Sequence, residues 1–246
     1  PKNGKEIVDS DLHAMLMKKT RMTYMEWSKL RIKIIMMNNY IKVGDHYYRP
    51  TRSEHGLDDS FLREIAAYQL LKNQNGIVKY IAHELRGTHY LNPCLYMELA
   101  DRSLAHEEKV IHSDEQLDLW ETQLFDAVSV IHQHGVMHRD IKPGNILVFD
   151  NKQNSSLKNL CLCDFGGMGI FLHTGLERRE KHITTHPYSS PEMLKGYEYG
   201  PSTDVWSIGV VMLELRSKQR LFKENDVESV LLGIEELPNR LNTLKT

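Results

Sequence analysis

The stretch His138-Arg139-Asp140-Ile141-Lys142-Pro143-Gly144-Asn145 decides how this chain is read. It is polar where its surroundings are not. A long amphipathic run precedes it and stops at Gly135, and an apolar run, Ile146 to Phe149, follows it. Asp140 and Lys142 therefore stand on a loop after a helix. There a carboxylate can accept a hydroxyl proton while an ammonium meets a phosphate. Nineteen residues beyond Asn145 comes Asp164-Phe165-Gly166, and twenty-eight beyond Asp164 comes Glu192, closing Ser190-Pro191-Glu192. Asp204 lies twelve further on. Asn145 and Asp164 present hard oxygens of the kind Mg²⁺ takes beside phosphate. Two metal ligands, a base and a cation in one cleft are what phosphoryl transfer requires, because that reaction needs alignment and charge neutralisation more than covalent help.

Outward from this stretch the elements follow from periodicity. Ser113 and Gln116 fit a capping box. Leu117, Trp120, Leu124, Ala127, Val128 and Ile131 then form one helical stripe, with Gly135 as its stop. Ile146 to Phe149 and Leu160 to Cys163 predict two strands around the polar turn Asp150 to Ser156. Val205 to Leu215 is apolar on nearly all sides and predicts a helix buried all round. Upstream, Phe61 to Lys72 predicts a helix, with Phe61, Ile65 and Tyr68 on one face and Leu62, Ala66 and Leu70 beside it. Leu30 to Met36, Ile77 to Ala82 and Leu95 to Leu99 predict strands. Asp11 to Lys19 predicts a helix capped by Ser10, and Tyr40 to Arg49 a hairpin turning at Gly44-Asp45.

Composition narrows the function. The chain has 246 residues, 41% hydrophobic and 26% charged, enough to bury a core. A net charge of −2 argues against coating nucleic acid or an anionic membrane, so neither is expected as a partner. Val205 to Leu213, the longest apolar stretch without a charge, is too short to span a bilayer. Cys94, Cys161 and Cys163 make no disulfide framework and read as reduced thiols. The N-terminal residues lack the apolar core of a signal peptide, so a cytoplasmic or nuclear setting is expected. His132, His134 and His138 have no Cys or carboxylate partners at metal-site spacing and read as helix-end and loop histidines. The methionines read as packing filler.

From His138 to Leu215 the chain resembles the catalytic lobe of a eukaryotic-type protein kinase. H-R-D-x-K-x-x-N, D-F-G and a near match to A-P-E occur in order, and Asp204-x-Trp206-Ser207-x-Gly209 follows in an apolar helix. Ile141 stands where that family has Leu, and Ser190 where it has Ala. The resemblance covers about Phe61 to Leu215. It implies an α+β, bilobal fold, with a small β-rich N-lobe over residues 1–98 and a larger helical C-lobe over 99–246. It implies ATP- and Mg²⁺-dependent transfer of a γ-phosphoryl group to a Ser or Thr of a protein substrate. Asp140 would be the catalytic base, Lys142 would contact the γ-phosphate, and Thr185 would face both. Asn145 and Asp164 would hold magnesium. Arg139 would pair with a phosphorylated or acidic activation segment, Glu192 would anchor that segment by an ion pair, and Asp204 would steady the catalytic loop. Met97 would be the gatekeeper, backbone groups of Glu98 and Ala100 would meet adenine, Leu147 would floor the pocket, and Glu64 would be the glutamate of the N-lobe helix.

The chain also departs from that pattern. G-x-G-x-x-G is absent, and no glycine lies between Gly4 and Gly44. Backbone N–H groups approach phosphates most closely where no Cβ intervenes. V-A-I-K is missing too. Lys42, twenty-two residues before Glu64, and Arg49, fifteen before it, compete for the role of its lysine. Lys42 is preferred because a guanidinium is bulkier and forks differently. Only about thirty residues follow the apolar helix, so exposed apolar surface, covered by a protein partner, is expected at the shortened C-lobe. Glu180 stands twelve before Glu192, where a phosphothreonine is usual; Glu180 or Glu177 would serve Arg139 in its place, with Thr174 and Thr184 as alternative phosphosites. A pseudokinase acting as a nucleotide- or partner-binding scaffold stays open as the alternative. Thr185 and S-P-E, which shape a peptide surface in the family, argue against a small-molecule or RNA phosphotransferase.

Overall fold

The computed structural model describes residues 32–36, 59–84, 94–150, 157–170, 185–223 and 225–244. The helix expected over 11–19 and the hairpin over 40–49, with Lys42 and Arg49, lie outside the described residues, as do Thr174, Glu177, Glu180 and Thr184.

β1 (Ile32–Met36), β2 (Tyr80–Glu84) and β3 (Cys94–Glu98) form an antiparallel sheet in the order β1-β3-β2. β2 begins later than Ile77. The reason is a competing attachment: Ile77 bridges Leu162, and Val78 N donates to Leu162 O at 3.0 Å. The segment is thus tied to the far half of the molecule before it joins the sheet. α1 (Asp59–Leu70) buries Phe61, Ile65 and Tyr68 as its spacing predicts. Leu62, Ala66 and Leu70 turn outward, Leu62 at 42% and Leu70 at 49% exposure. Burial extends around the other side of the helix instead, through Glu64, Ala67 and Leu71, because α1 has one partner surface and it lies there.

β4 (Arg102–Ser103), β6 (Ile146–Asp150) and β7 (Lys158–Leu162) make a second sheet in the order β4-β6-β7, with Ile146 opposite Leu162 and Asp150 opposite Lys158. The turn joining β6 to β7, residues 151–156, lies outside the described residues. β5 (Val136–Met137) pairs with β8 (Gly169–Ile170). α2 (Asp114–Gln133) starts at Ser113, whose hydroxyl accepts Gln116 N at 3.2 Å. The other half of the expected capping box is not made. Gln116 sends its amide to β7, donating to Lys158 O at 3.0 Å and accepting from Lys158 N at 2.7 Å. Trp120 Nε1 donates to the same carbonyl at 2.9 Å, and Gln123 accepts from Leu160 N at 2.9 Å. A strand edge left bare would carry unpaired backbone groups; here side-chain amides of α2 satisfy them. The predicted stripe of α2 is buried, and Gly135 ends the helix at φ +72°.

α3 (Pro191–Leu194) is one turn long, and α4 (Ser202–Ser217) follows it. α4 is buried over most of its circumference, but Val205 is 44% exposed, so it is not enclosed all round. α5 (Val227–Leu244) carries Pro238 inside it, a residue that argues against a continuous helix in the sequence. It forms because Val230, Ile234 and Leu237, spaced along one face, pack on the core and dock the helix against α3 and the His186–Tyr188 turn. One hydrophobic cluster runs from Phe61 to Val230 and joins both halves. Among the described residues no helix is long and apolar enough to cross a membrane.

Candidate active site

The loop after β5 is held from below. Asp204, in the first turn of α4 and fully buried, accepts His138 N through Oδ2 at 2.9 Å and Arg139 N through Oδ1 at 2.8 Å. His132 Nε2 lies 2.8 Å from the same Oδ2. Two loop N–H groups that no helix or strand would satisfy thus find one carboxylate, as the resemblance led one to expect of Asp204. The anchorage keeps Arg139 at φ +68°, a left-handed conformation that residues other than glycine seldom adopt.

Three functional groups meet above this anchor. Lys142 Nζ donates to Asp140 Oδ2 at 2.7 Å and to Thr185 Oγ1 at 2.8 Å. The Thr185 hydroxyl in turn donates to Asp140 Oδ1 at 2.9 Å, and Thr185 N donates to the same oxygen at 3.1 Å. A base, a cation and a hydroxyl from segments forty-five residues apart therefore close a ring. Asn145 Nδ2 donates to Asp140 O at 2.9 Å and Asp140 Oδ2 at 3.1 Å, which fixes the amide so that its oxygen is the group left to face a ligand. Cys163 N donates to Asn145 O at 2.9 Å and brings the end of β7, hence Asp164, beside the loop. Asp164 sits at φ +67°, and its Oδ1 accepts Gly166 N at 3.4 Å. Among the described residues no group of three His, Cys, Asp or Glu side chains could hold a metal ion. A cation here would take the Asn145 and Asp164 oxygens and draw the rest from phosphate, a donor set that suits Mg²⁺.

Tyr68 is a site residue that the sequence reading placed only on a packing face. Its hydroxyl accepts Asp164 N at 3.1 Å, and its ring meets Phe165 edge-on with centroids 5.3 Å apart. Phe165 in turn lies 4.8 Å from the His138 ring, whose Nε2 is 3.0 Å from Cys163 O. A packed column thus joins α1 to the Asp164 turn and to the loop. Burial, and next the Glu64 carboxylate one turn away, hold the Tyr68 phenol well above the ordinary tyrosine range. Glu64 is buried on the same face, while Lys42, preferred as the V-A-I-K lysine, lies outside the described residues.

The residues expected around a nucleotide base lie on β3, just after it, and on β6. Met97, Ala100 and Leu147 are buried. Glu98 N already donates to Lys79 O at 2.9 Å. Leu147 faces Cys161 across the β6–β7 ladder, and the Cys161 thiol is pushed up to about 12 by burial and then by the Glu98 charge. Arg139 is buried, with Nε donating to Gly167 O at 2.6 Å, Nη2 to Met168 O at 2.7 Å and Nη1 to the Tyr199 hydroxyl at 3.0 Å. Glu192 departs from expectation: among the described residues no cation forms an ion pair with it, and its carbonyl accepts Tyr197 N at 2.9 Å.

A family model for the protein kinase domain matches residues 40–244. The chain is 34% identical over 197 residues to cyclin-dependent kinase-like 1 of Caenorhabditis elegans, a match covering 75% of this chain and 52% of that protein. It is 30% identical over 195 residues to cyclin-dependent kinase 20 of Danio rerio, covering 77% and 54%. A serine/threonine-protein kinase of Corynebacterium efficiens is 36% identical over 146 residues, covering 59% and 26%. The chain spans about half the length of the first two of these relatives. It belongs to the eukaryotic-type protein kinase family, and its fold is the family's α+β arrangement of a small sheet-rich part and a larger helical part.

Proposed function

We propose that the chain transfers the γ-phosphoryl group of ATP to a Ser or Thr hydroxyl of a protein. The observation that carries this reading is the closed ring of Asp140, Lys142 and Thr185. An acceptor hydroxyl beside Asp140 finds a carboxylate to take its proton, and the Lys142 ammonium meets the charge that gathers on the transferring phosphate. Thr185 holds both groups in one orientation. Asn145 and Asp164 would hold magnesium, which neutralises phosphate charge when bound. Met97, Ala100 and Leu147 would line the adenine site, with a Glu98 backbone group at its edge. Residues up to 98 would form the upper lobe and those from 99 the lower one. The names of the relatives, kinases all, support the activity; protein substrates follow from the same likeness.

Radiolabelled phosphate transfer and thermal unfolding with Mg-ATP test this together. Asp140→Asn should lower transfer by about 10²–10⁴-fold, the usual worth of a general base, with nucleotide stabilisation kept. Asp164→Asn should remove the Mg-ATP stabilisation itself. The absent glycine loop favours one competing reading, a scaffold without phosphotransfer. Wild-type protein whose unfolding temperature ignores saturating Mg-ATP would establish that reading instead.

A further inference from the structure

One short stretch of chain grips Arg139 at both ends. Asp204 accepts its backbone N–H at 2.8 Å. The hydroxyl of Tyr199, five residues before Asp204, accepts its Nη1 at 3.0 Å. Tyr199 precedes a Gly-Pro turn and has no pattern of its own in the sequence. That turn is held closely: Thr203 N donates to Gly200 O at 3.0 Å and Asp204 N to Pro201 O at 3.2 Å. The phenol and the carboxylate are thereby set relative to each other. Arg139 and Tyr199 are both buried.

The other two bonds of the guanidinium run along one of its edges. Nε donates to Gly167 O at 2.6 Å and Nη2 to Met168 O at 2.7 Å. These carbonyls close the turn that Asp164 caps and lead into β8, which pairs with β5, the strand before His138. Two bonds on one edge of a planar group fix an axis. A third, at the far corner, fixes the plane, and Tyr199 makes it. A hydrogen bond from a charged donor in a buried place is among the stronger ones. Arg139 is the immediate neighbour of Asp140, and small displacements of a reacting group cost rate out of proportion to their size. We infer that Tyr199 is a positioning residue for phosphoryl transfer: its hydroxyl fixes the plane of Arg139, and through Arg139 the alignment of Asp140 with the turn bearing Asp164. The inference rests on the kinase reading for what Asp140 does.

Tyr199→Phe keeps the ring and removes the acceptor. Hydrogen exchange of the full chain, read by mass spectrometry, should quicken about tenfold in peptides covering 138–142 and 166–169, with α2 and α5 unchanged. With Mg-ATP and casein as acceptor, kcat should fall about tenfold while KM for both stays put, because the hydroxyl acts on alignment and not on binding. A merely structural role would quicken exchange everywhere and leave that split unmade. Arg139→Lys keeps the charge and loses the fork, so it completes a double-mutant cycle. In that background Tyr199→Phe should change kcat less than about twofold, with thermal unfolding confirming that each variant folds. Exchange unchanged in those peptides, exchange raised uniformly, or kcat losses that simply add would overturn the proposal. Wild type that transfers no phosphate, with the local exchange still quickened by Tyr199→Phe, would sink the kinase reading and leave the grip on Arg139 standing. Wild type that transfers phosphate, with Tyr199→Phe matching it in both assays, does the opposite.

Discussion

Tyr68 shows what a single hydroxyl does here. It satisfies the N–H of Asp164 from ninety-six residues away, beside the buried rings of Tyr68 and Phe165. Tyr68→Phe leaves that N–H without an acceptor, at a cost of about 1–3 kcal/mol, and urea unfolding should read that loss. Transfer should fall as well, because the turn bearing Asp164 loses its fixed end. Ser190 is the reverse case. Its hydroxyl is buried with no hydrogen-bond partner among the described residues, where the family motif has Ala. Ser190→Ala should therefore leave stability unchanged or raise it by up to about 1 kcal/mol in the same measurement. Polar residues in a candidate site announce themselves through type and spacing, as Asp140, Lys142, Asn145 and Asp164 do. Tyr68 does not, since an aromatic at helical spacing has the same pattern whether its hydroxyl is used or idle. Tyr199 was hidden for a related reason: a tyrosine before a Gly-Pro turn reads as packing until the Arg139 guanidinium is seen on its hydroxyl.

Elements were legible where one partner surface dictated them and obscure where two competed. The α2 stripe and its Ser113 cap follow from local periodicity and local chemistry. Gln116 does not, because the N-terminal motif assigns its amide to the helix while β7 offers a strand edge that needs it more. Leu62, Ala66 and Leu70 repeat every fourth residue, yet the surface that covers α1 lies on the opposite side. The bridge between Ile77 and Leu162 belongs to the same class of long-range attachment, and Gly76 makes it possible. Gly76 has φ +75°, and its carbonyl accepts Leu162 N at 2.7 Å. A Cβ there would lie 2.6 Å from the Ala127 Cβ on α2. Gly76→Ala must push two packed segments apart and hold a left-handed backbone with a side chain. We expect a loss of about 2–4 kcal/mol by chemical denaturation, from overpacking and backbone strain together. Ala127→Gly, which removes the clashing methyl, should recover part of it in the double variant.

Across the whole molecule, charge buried between elements ties distant segments into one unit. Glu107, only 2% exposed, takes Arg102 from β4 and Lys158 from β7, the latter at 3.1 Å, with His112 Nε2 3.4 Å away. Burial by itself would raise this carboxyl; the hydrogen bonds from Arg102 and then Lys158 outweigh it and leave it below the usual glutamate range. A carboxylate held low in the folded state binds protons less readily there than in the unfolded chain. Its stabilisation is complete above the unfolded value near 4.5 and drains away as pH falls through the lower folded value. Glu107→Gln leaves Lys158 without a carboxylate and Arg102 with Asp150 Oδ1 alone, at 3.1 Å, so at neutral pH it should cost about 1–3 kcal/mol. That gap should hold down to about pH 5 and then close progressively as the wild-type carboxylate is protonated. Thermal or urea unfolding from pH 7 to pH 3 measures it. A gap that stays constant to the acid end would mean that Glu107 contributes shape rather than charge to the join between β4 and β7.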